Sequence, residues 1–156
     1  PFQERMAAAG VDKVVDNMVE DWRATLDALS QLDSINANRV AYIGFSMGTR
    51  FGLPYVAAAG DRLRCAVLGK NGMRLASPGM ATMTQRFNRD APAITVPVLF
   101  HVQWDDELFP RDGQFALFDM LGAREKQLIA FPGPHSAAAP AAVQAWCDFV
   151  TRHLAG

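Results

Sequence analysis

Gly44-Phe45-Ser46-Met47-Gly48 decides the fold, because this G-x-S-x-G stretch joins an apolar, strand-like run (40–43) to a helix-compatible run (49–59). The turn from strand into helix is tight, so we expect a strained serine backbone and no room for bulk at either glycine. Such a turn presents the serine at the top of a sheet, with the N-terminus of the next helix directed at it. The alternative is an ordinary glycine-rich turn with a solvated serine.

A nucleophilic serine needs a histidine base and a carboxylate that orients this base. His101 lies in the apolar run 98–102 and is predicted to be a paired or half-buried strand residue. His153 falls in the last turn of the terminal helix, where a cation suits the helix dipole. His135 follows a strand-like run and a Pro-Gly-Pro turn, at the carboxyl end of a strand, where active-site residues of open α/β sheets collect. His135 is therefore the predicted base; the alternative is a solvated loop histidine.

The orienting acid is expected on the loop after the preceding strand, 96–102. Three carboxylates follow this strand in succession, Asp105, Asp106 and Glu107. Their position after the strand does not indicate which of the three carboxylates orients the histidine. The two carboxylates that do not orient the histidine are expected to be a solvated acidic loop.

Hydrophobic periodicity predicts an alternation of helices and strands along the chain. The helices are predicted at 11–32, 49–59, 81–87, 112–121 and 139–154, and the strands at 40–45, 65–69, 96–102 and 127–131. Pro54 is expected to kink the second helix or to shift its start. The terminal helix is predicted to face inward with Val143, Trp146, Phe149 and Val150. This alternation predicts an α/β fold in one domain, 1–156: a parallel, doubly wound sheet of about four strands flanked by helices.

Composition excludes several classes of partner. The chain has 156 residues, a net charge of −1 and 50% apolar residues, with basic residues scattered along it. This balance argues against a nucleic-acid partner, and no apolar run approaches the roughly 18 residues of a membrane span. Cys65 and Cys147 are predicted to be buried free thiols without metal-ligand spacing to a histidine. We therefore predict no metal, no cofactor and a cytoplasmic location.

With these motifs the chain resembles the α/β-hydrolase superfamily, most closely its dienelactone-hydrolase-like and small-esterase branches. The acid loop of these branches commonly reads G-x-x-D-x-x-apolar-P. Counting back four residues from Pro110 reaches Asp106, with Phe109 at the apolar position and Gln103 in place of the glycine. The resemblance thus favours Asp106 over Asp105, with Glu107 last. Residue 49 is a threonine where the pattern often has another glycine.

The resemblance implies a serine hydrolase that acts on a small carboxylic ester or a related acyl compound. Ser46 would attack, His135 would transfer the proton, Asp106 would orient His135, and the backbone N–H of Met47 would bind the oxyanion. The alternative is a non-catalytic α/β-hydrolase-fold module used for binding or assembly.

The substrate pocket is expected to use the side chains of Phe45, Met47 and Trp104 and the Met-rich connection 73–83. Plain core or loop packing is at least as good an explanation for the methionines of this connection.

The front of the chain departs from the pattern that the resemblance implies. The family has about eight strands with the nucleophile after the fifth, whereas 45 residues precede Ser46 and most of them predict helix. The loop that usually supplies the second oxyanion donor is not predicted, and strand 40–45 would be an open sheet edge. We expect the chain to be the C-terminal part of a longer hydrolase. The alternatives are a partner chain or a swapped copy that covers the edge, and a minimal non-catalytic relative.

Overall fold

The computed structural model describes residue 4 and residues 8–76 and 83–155. Helices and strands alternate through this part of the chain, as the periodicity predicts. The helices are α1 (Val11–Leu29), α2 (Met47–Ala59), α3 (Thr84–Asp90), α4 (Arg111–Met120) and α5 (Pro140–Ala155). The strands are β1 (Ala41–Ile43), β2 (Cys65–Gly69), β3 (Val98–Gln103) and β4 (Lys126–Phe131). Short 3-10 turns follow α2 and α3, at Gly60–Arg62 and Ala91–Ala93.

The four strands form one parallel sheet in the order β1-β2-β3-β4. The α/β class and the parallel, helix-flanked sheet are therefore confirmed. All carboxyl ends of parallel strands lie at the same sheet edge. This topology places the segments after β1, β3 and β4 beside one another, and these segments carry Ser46, Asp106 and His135.

The sheet separates two hydrophobic cores, because side chains along a strand point alternately to its two faces. On one face, Phe100 packs with buried residues of the first four helices, such as Val15, Leu53 and Leu117. On the other face, Leu99 packs with Phe149 of α5. Both central strands are buried along their whole length, which explains the uninterrupted apolar sequence of β2 and the mostly apolar sequence of β3.

Several elements differ from their predicted bounds. The first helix ends at Leu29 rather than at residue 32, because shorter i→i−3 bonds, such as Leu32 N–H to Leu29 C=O, replace the helical pattern there. The second helix begins at Met47 and runs through Pro54 to Ala59, so the proline does not shift its start. The helix predicted at 81–87 spans Thr84–Asp90; residues 81 and 82 lie outside the described part.

The inward stripe of α5 differs from the prediction at one position. Phe149 is buried, and Trp146 and Val150 pack partly buried against the same core. Val143, also predicted to face inward, is 40% exposed, whereas its neighbour Ala142 is fully buried. The stripe runs through residues 142, 146 and 149 at helical spacing, so Val143 lies about 100° further around the helix.

The two cysteines are free, but their burial differs. Cys65 is buried in β2, and burial, the largest cause, raises the pKa of its thiol to about 11. Cys147 is exposed, which corrects the prediction that it is buried. It lies four residues after Val143 on α5, so both residues are on the same solvent-facing side of this helix. None of the helices described is long and apolar enough to cross a membrane.

Candidate active site

The nucleophile turn has the strained backbone that its sequence predicts. Ser46 precedes α2 with φ 54° and ψ −111°, and among the described residues other than glycine only Ser46 and Lys70 have positive φ. Such a conformation costs about 1–3 kcal/mol and persists only where neighbouring groups hold it. The Ser46 N–H donates to the carbonyl of Gly69 at 3.1 Å, and Asn71 Nδ2 donates to the Ser46 carbonyl at 2.9 Å. The end of β2 and the residues after it therefore hold the turn.

The two glycines of the motif are not equivalent. A Cβ placed on Gly44 would lie 2.7 Å from the ring of Tyr42 and 2.8 Å from the backbone of Gly48, so bulk is excluded there as expected. A Cβ on Gly48 would meet nothing closer than the Tyr42 hydroxyl, at 3.9 Å. The expectation of a collision at Gly48 was wrong. Tyr42 takes up the space at the front of the turn, where its hydroxyl donates to the Gly48 carbonyl at 2.8 Å.

Thr49 connects the nucleophile helix to the neighbouring strand. Its hydroxyl is fully buried and accepts the N–H of Gly69 at 2.8 Å. The same oxygen lies 2.8 Å from the Gly44 carbonyl and 2.7 Å from the Gly69 carbonyl, and its single proton is donated to one of them. A glycine at this position would supply neither bond. The sequence shows a threonine where the pattern often has a glycine, but it does not show that the hydroxyl binds the backbone of Gly69.

His135 joins the other two predicted site residues. Its Nε2 lies 2.8 Å from Ser46 Oγ, and its Nδ1 lies 2.8 Å from Asp106 Oδ2. The Asp106 side chain is fully buried and that of His135 is 15% exposed. A carboxylate only accepts, so Nδ1 carries the proton and Nε2 is free to accept the serine hydroxyl. This is the geometry that a general base requires.

Both oxygens of Asp106 are bound, which fixes the direction of its carboxylate. Oδ1 accepts the backbone N–H groups of Leu108 and Phe109, both at 2.9 Å, while Oδ2 accepts from His135. The first two bonds close a tight turn after the aspartate, a role in which aspartate is favoured. Asp106 is therefore the carboxylate of the acidic run that contacts the imidazole ring.

The other two carboxylates of the run are not merely solvated, which corrects that expectation. Asp105 Oδ2 accepts the Gly133 N–H at 2.9 Å, and Glu107 Oε2 accepts the His135 N–H at 2.8 Å. The bond from the His135 N–H is the main cause that lowers the pKa of Glu107 from its usual value. All three acids thus bind the loop that carries His135, two through its backbone and one through its imidazole.

Lys70 is a site residue that the sequence analysis missed. It is 6% exposed, has φ 49°, and directly follows β2. Its Nζ donates to the carbonyl of His135 at 3.2 Å and to that of Ala137. Burial is the largest cause that lowers the pKa of Lys70, and the charge of Asp106 opposes this shift. The available signal was a lysine at the carboxyl end of a strand whose neighbouring strands both lead to site residues.

Met47 occupies the position expected of an oxyanion donor. It is the first residue of α2, so its N–H has no acceptor within the helix. It also follows Ser46 directly, which places this N–H at the helix N-terminus beside the serine. The side chain of Met47 is 49% exposed.

The two aromatic residues predicted to line a pocket have different surroundings. The ring of Phe45 lies 4.2 Å from that of Trp146 and packs, partly buried, against the core beneath α5. Trp104 is 43% exposed and lines an open cavity of about 660 Å³ beside Asp106. The guanidinium of Arg111 lies 4.5 Å from the centre of its ring.

The connection 73–83 is described only in part. Met73 and Met83, at its two ends, pack in the first core, as the packing explanation predicted. Residues 77–82 of the predicted pocket segment lie outside the described part.

The remaining histidines and cysteines form no second centre in the part of the chain that the structure describes. His101 is a paired residue of β3, as one of the two expectations had it, and it is fully buried rather than half-buried. His153 lies in the last turn of α5, with Nδ1 at 2.8 Å from the Phe149 carbonyl and Nε2 at 3.0 Å from Glu125. Among the described residues, no group of three or more His, Cys, Asp or Glu side chains could hold a metal ion.

Solved structures of similar fold include esterases and a lipase. A cold-adapted esterase from an Arctic intertidal metagenomic library is 32% identical, with a TM-score of 0.78, over 90% of this chain and 59% of its own. The monoacylglycerol lipase of Paleococcus ferrophilus is 14% identical (TM-score 0.69; 90% of this chain, 75% of its own), and the acetyl xylan esterase of Paenibacillus sp. R4 is 17% identical (TM-score 0.71; 86% and 52%). The last two share the fold alone.

No curated protein sequence matches the chain. The chain spans less than two thirds of the length of the Arctic esterase that it resembles. Residues 2–145 match the sequence model of the dienelactone hydrolase family, which is most of the chain. The parallel sheet and the likeness to an esterase of 32% identity agree with this match. The chain belongs to the dienelactone hydrolase family.

Proposed function

We propose that this protein is a serine hydrolase that cleaves a carboxylic ester or a related acyl compound. One observation carries the proposal: His135 lies between Ser46 Oγ and Asp106 Oδ2, 2.8 Å from each. The family match and the likeness to an esterase support hydrolysis, and this geometry supports a serine nucleophile as its means.

In the proposed reaction, Ser46 Oγ attacks the carbonyl carbon while His135 Nε2 takes the hydroxyl proton. Asp106 stabilises the imidazolium that forms. The carbonyl oxygen becomes an oxyanion, which the N–H of Met47 and the N-terminal end of α2 stabilise. His135 then protonates the departing alcohol, and the acyl group stays on Ser46.

Water completes the reaction by the same route in reverse. His135 Nε2 takes a proton from a water molecule while the oxygen of this water attacks the acyl carbon. The second tetrahedral intermediate collapses, the carboxylic acid leaves, and the proton returns to Ser46 Oγ. No step needs a cofactor.

The free thiols of Cys65 and Cys147 fit the reducing cytoplasm, where we place the enzyme.

Labelling with a fluorophosphonate tests the nucleophile directly. The wild-type chain should form a covalent phosphonyl adduct that peptide mass spectrometry locates on Ser46, and it should hydrolyse p-nitrophenyl acetate. Ser46→Ala should lose both reactions, whereas Ser34→Ala, in the exposed loop at the opposite end of β1 from Ser46, should keep both. A folded wild-type preparation that neither reacts nor hydrolyses the ester would favour the alternative, a non-catalytic binding or assembly module.

A further inference from the structure

Gln103 is the last residue of β3, and its side chain reaches the loop that carries His135. It is 1% exposed, and its Nε2 lies 2.9 Å from the carbonyl of Pro132, 2.9 Å from that of Gly133 and 3.3 Å from that of Phe131. Carbonyl oxygens only accept hydrogen bonds, so the nitrogen of the carboxamide must face them. Its two protons are shared among these three backbone groups.

The opposite side of this carboxamide is held by a buried histidine. Gln103 Oε1 lies 3.0 Å from His101 Nε2, and this oxygen can only accept, so Nε2 carries a proton. His101 is fully buried, and its Nδ1 has no partner among the described residues. A second proton at Nδ1 would bury a charge without a partner, which is costly. His101 is thus neutral and is a fixed donor to Gln103.

The backbone of Gln103 is bound to the acid loop by a second buried glutamine. Gln114 of α4 accepts the Gln103 N–H at 3.0 Å and donates to the Gln103 carbonyl at 3.0 Å. Its Nε2 also donates to the carbonyl of Phe109 at 2.8 Å, and the Phe109 N–H in turn binds Asp106. Gln103 therefore lies at the junction of the acid loop and the histidine loop.

We propose that Gln103 is a positioning residue for His135. His101 orients the carboxamide, and the carboxamide holds the backbone of residues 131–133, so that His135 stays between Ser46 and Asp106. The proposal rests on the proposed serine hydrolase function for its kinetic consequences. It gives a purpose to the glutamine that stands where the acid-loop pattern of related hydrolases has a glycine, which has no side chain to reach the loop.

Two substitutions of Gln103 test the proposal in the intact chain. Gln103→Met keeps the length of the side chain and removes its hydrogen bonds, whereas Gln103→Glu replaces the donor by an acceptor that faces three carbonyls. The control is Gln127→Glu on the exposed side of β4. With p-nitrophenyl acetate, we expect both Gln103 variants to lose about 10²-fold in kcat at about pH 8, because a small misplacement of the base has this effect. KM should stay within about twofold, and the control should match the wild type.

The pH profile separates positioning from a general loss of packing. A glutamic acid at position 103 donates a hydrogen bond only when it is protonated, so the activity of Gln103→Glu relative to Gln103→Met should rise as the pH falls from about 8 to 6. Both variants keep the other titratable and charged groups around this position, so the carboxyl introduced by Gln103→Glu is the group that differs between them; these shared groups are His101, Asp105, Asp106, Glu107, His135 and Lys70. A flat ratio, or kcat within about twofold of the wild type in both variants, overturns the proposal. It is also overturned if neither variant folds, judged by circular dichroism.

A measurement without substrate separates this proposal from the proposed function. Proton NMR should show the His135 Nδ1 proton, shared with Asp106, as a slowly exchanging low-field signal in the wild type. In Gln103→Met the exchange should be at least about tenfold faster, and in Gln127→Glu it should be unchanged. An unchanged exchange rate in Gln103→Met overturns the positioning role, whatever the activity. Failure of the wild type to react with the fluorophosphonate would instead refute the hydrolase function.

Discussion

Asp105, Asp106 and Glu107 follow one another in the sequence, yet each binds a different atom of the histidine loop. Asp106 accepts from the imidazole, while its two neighbours accept backbone N–H groups of Gly133 and His135. A backbone N–H can be satisfied by any well-placed acceptor, charged or neutral. The orienting of an imidazole requires one particular acceptor, so the three positions should differ in their tolerance of substitution.

We expect Asp106→Asn to lower turnover by about 10⁴-fold, because an amide in this place favours the wrong tautomer of the histidine. Asp105→Asn is the matched control, since its amide oxygen can still accept the Gly133 N–H, and its turnover should remain within about tenfold of the wild type. Steady-state hydrolysis of p-nitrophenyl acetate measures both. If Asp105→Asn proved the more damaging of the two, the orienting role would belong to Asp105.

At the scale of elements, α2 and β2 are joined through one buried hydroxyl. Thr49 lies in the first turn of α2, and its Oγ1 binds the backbone of Gly69 at the end of β2. Valine has the same shape but no hydroxyl, so Thr49→Val would leave the Gly69 N–H buried without its acceptor.

We expect Thr49→Val to lower the free energy of unfolding by about 1–3 kcal/mol, the usual penalty for a buried polar group without a partner. Urea unfolding followed by circular dichroism measures it. Thr25→Val, on the exposed face of α1, should change this free energy by less than about 0.5 kcal/mol. Equal effects of the two substitutions would contradict the role given to the Thr49 hydroxyl.

The strand β3 carries a buried group that titrates. Burial, as the largest cause, lowers the pKa of His101 from its usual value; the bond to Gln103 opposes this shift, and the charge of Lys70 adds to it. The rings packed against the imidazole carry no charge: Phe45, Phe131 and Trp146. In the unfolded chain His101 therefore takes up its proton at a higher pH than in the folded chain, so protonation favours unfolding.

This stabilisation should be fully present above about pH 6.5, the pKa of an unperturbed histidine, and should be lost as the pH falls below this value. His101→Gln does not titrate, and its amide N–H can take the place of the imidazole Nε2. We expect the free energy of unfolding of the wild type to fall more steeply between about pH 7 and 5.5 than that of His101→Gln. Urea unfolding at several pH values measures both slopes, and equal slopes would contradict this assignment.

For the whole molecule, the open feature is the sheet edge at β1. Among the described strands β1 pairs with β2 alone, and Ile43 on it is 50% exposed. An apolar cavity of about 250 Å³ lies beside the same strand, lined by side chains that include Trp22, Leu26 and Leu29. An unpaired strand edge beside apolar surface favours association with another chain segment.

We propose that an upstream segment or a second copy of the chain covers this edge and supplies the second oxyanion donor. The chain alone should then self-associate through this edge, and its monomer should turn over about 10²–10³-fold more slowly than a form with the edge covered, the usual effect of one missing donor. Light scattering measures the mass, and ester hydrolysis measures the turnover. Ile43→Lys should reduce self-association, whereas Val143→Lys, on the exposed side of α5, should not. A monodisperse monomer with full turnover would contradict this proposal.

The sequence by itself determined the alternation of strands and helices and the identity of the three residues that meet at the sheet edge. Hydrophobic period and turn glycines are local signals, so they can be read without the fold. Ser46 and His135 follow from their place at strand ends, whereas Asp106 was favoured through the resemblance to the acid-loop pattern of related hydrolases, counted back from Pro110. The parallel order of the strands then brings these three positions within hydrogen-bond distance.

Only the tertiary structure decided how these residues are held. Thr49, Lys70 and Gln103 bind backbone atoms 20 to 67 positions away, and nothing in their local sequence names these partners. The exposure of the Val143 and Cys147 side chains also depended on which face of α5 packs against the sheet. The pattern of apolar residues and glycines within a segment specifies whether that segment forms a helix or a strand, because this pattern lies within the segment itself. The partners of a buried polar group are specified by which loops the packed sheet brings together, and this is a property of the whole fold.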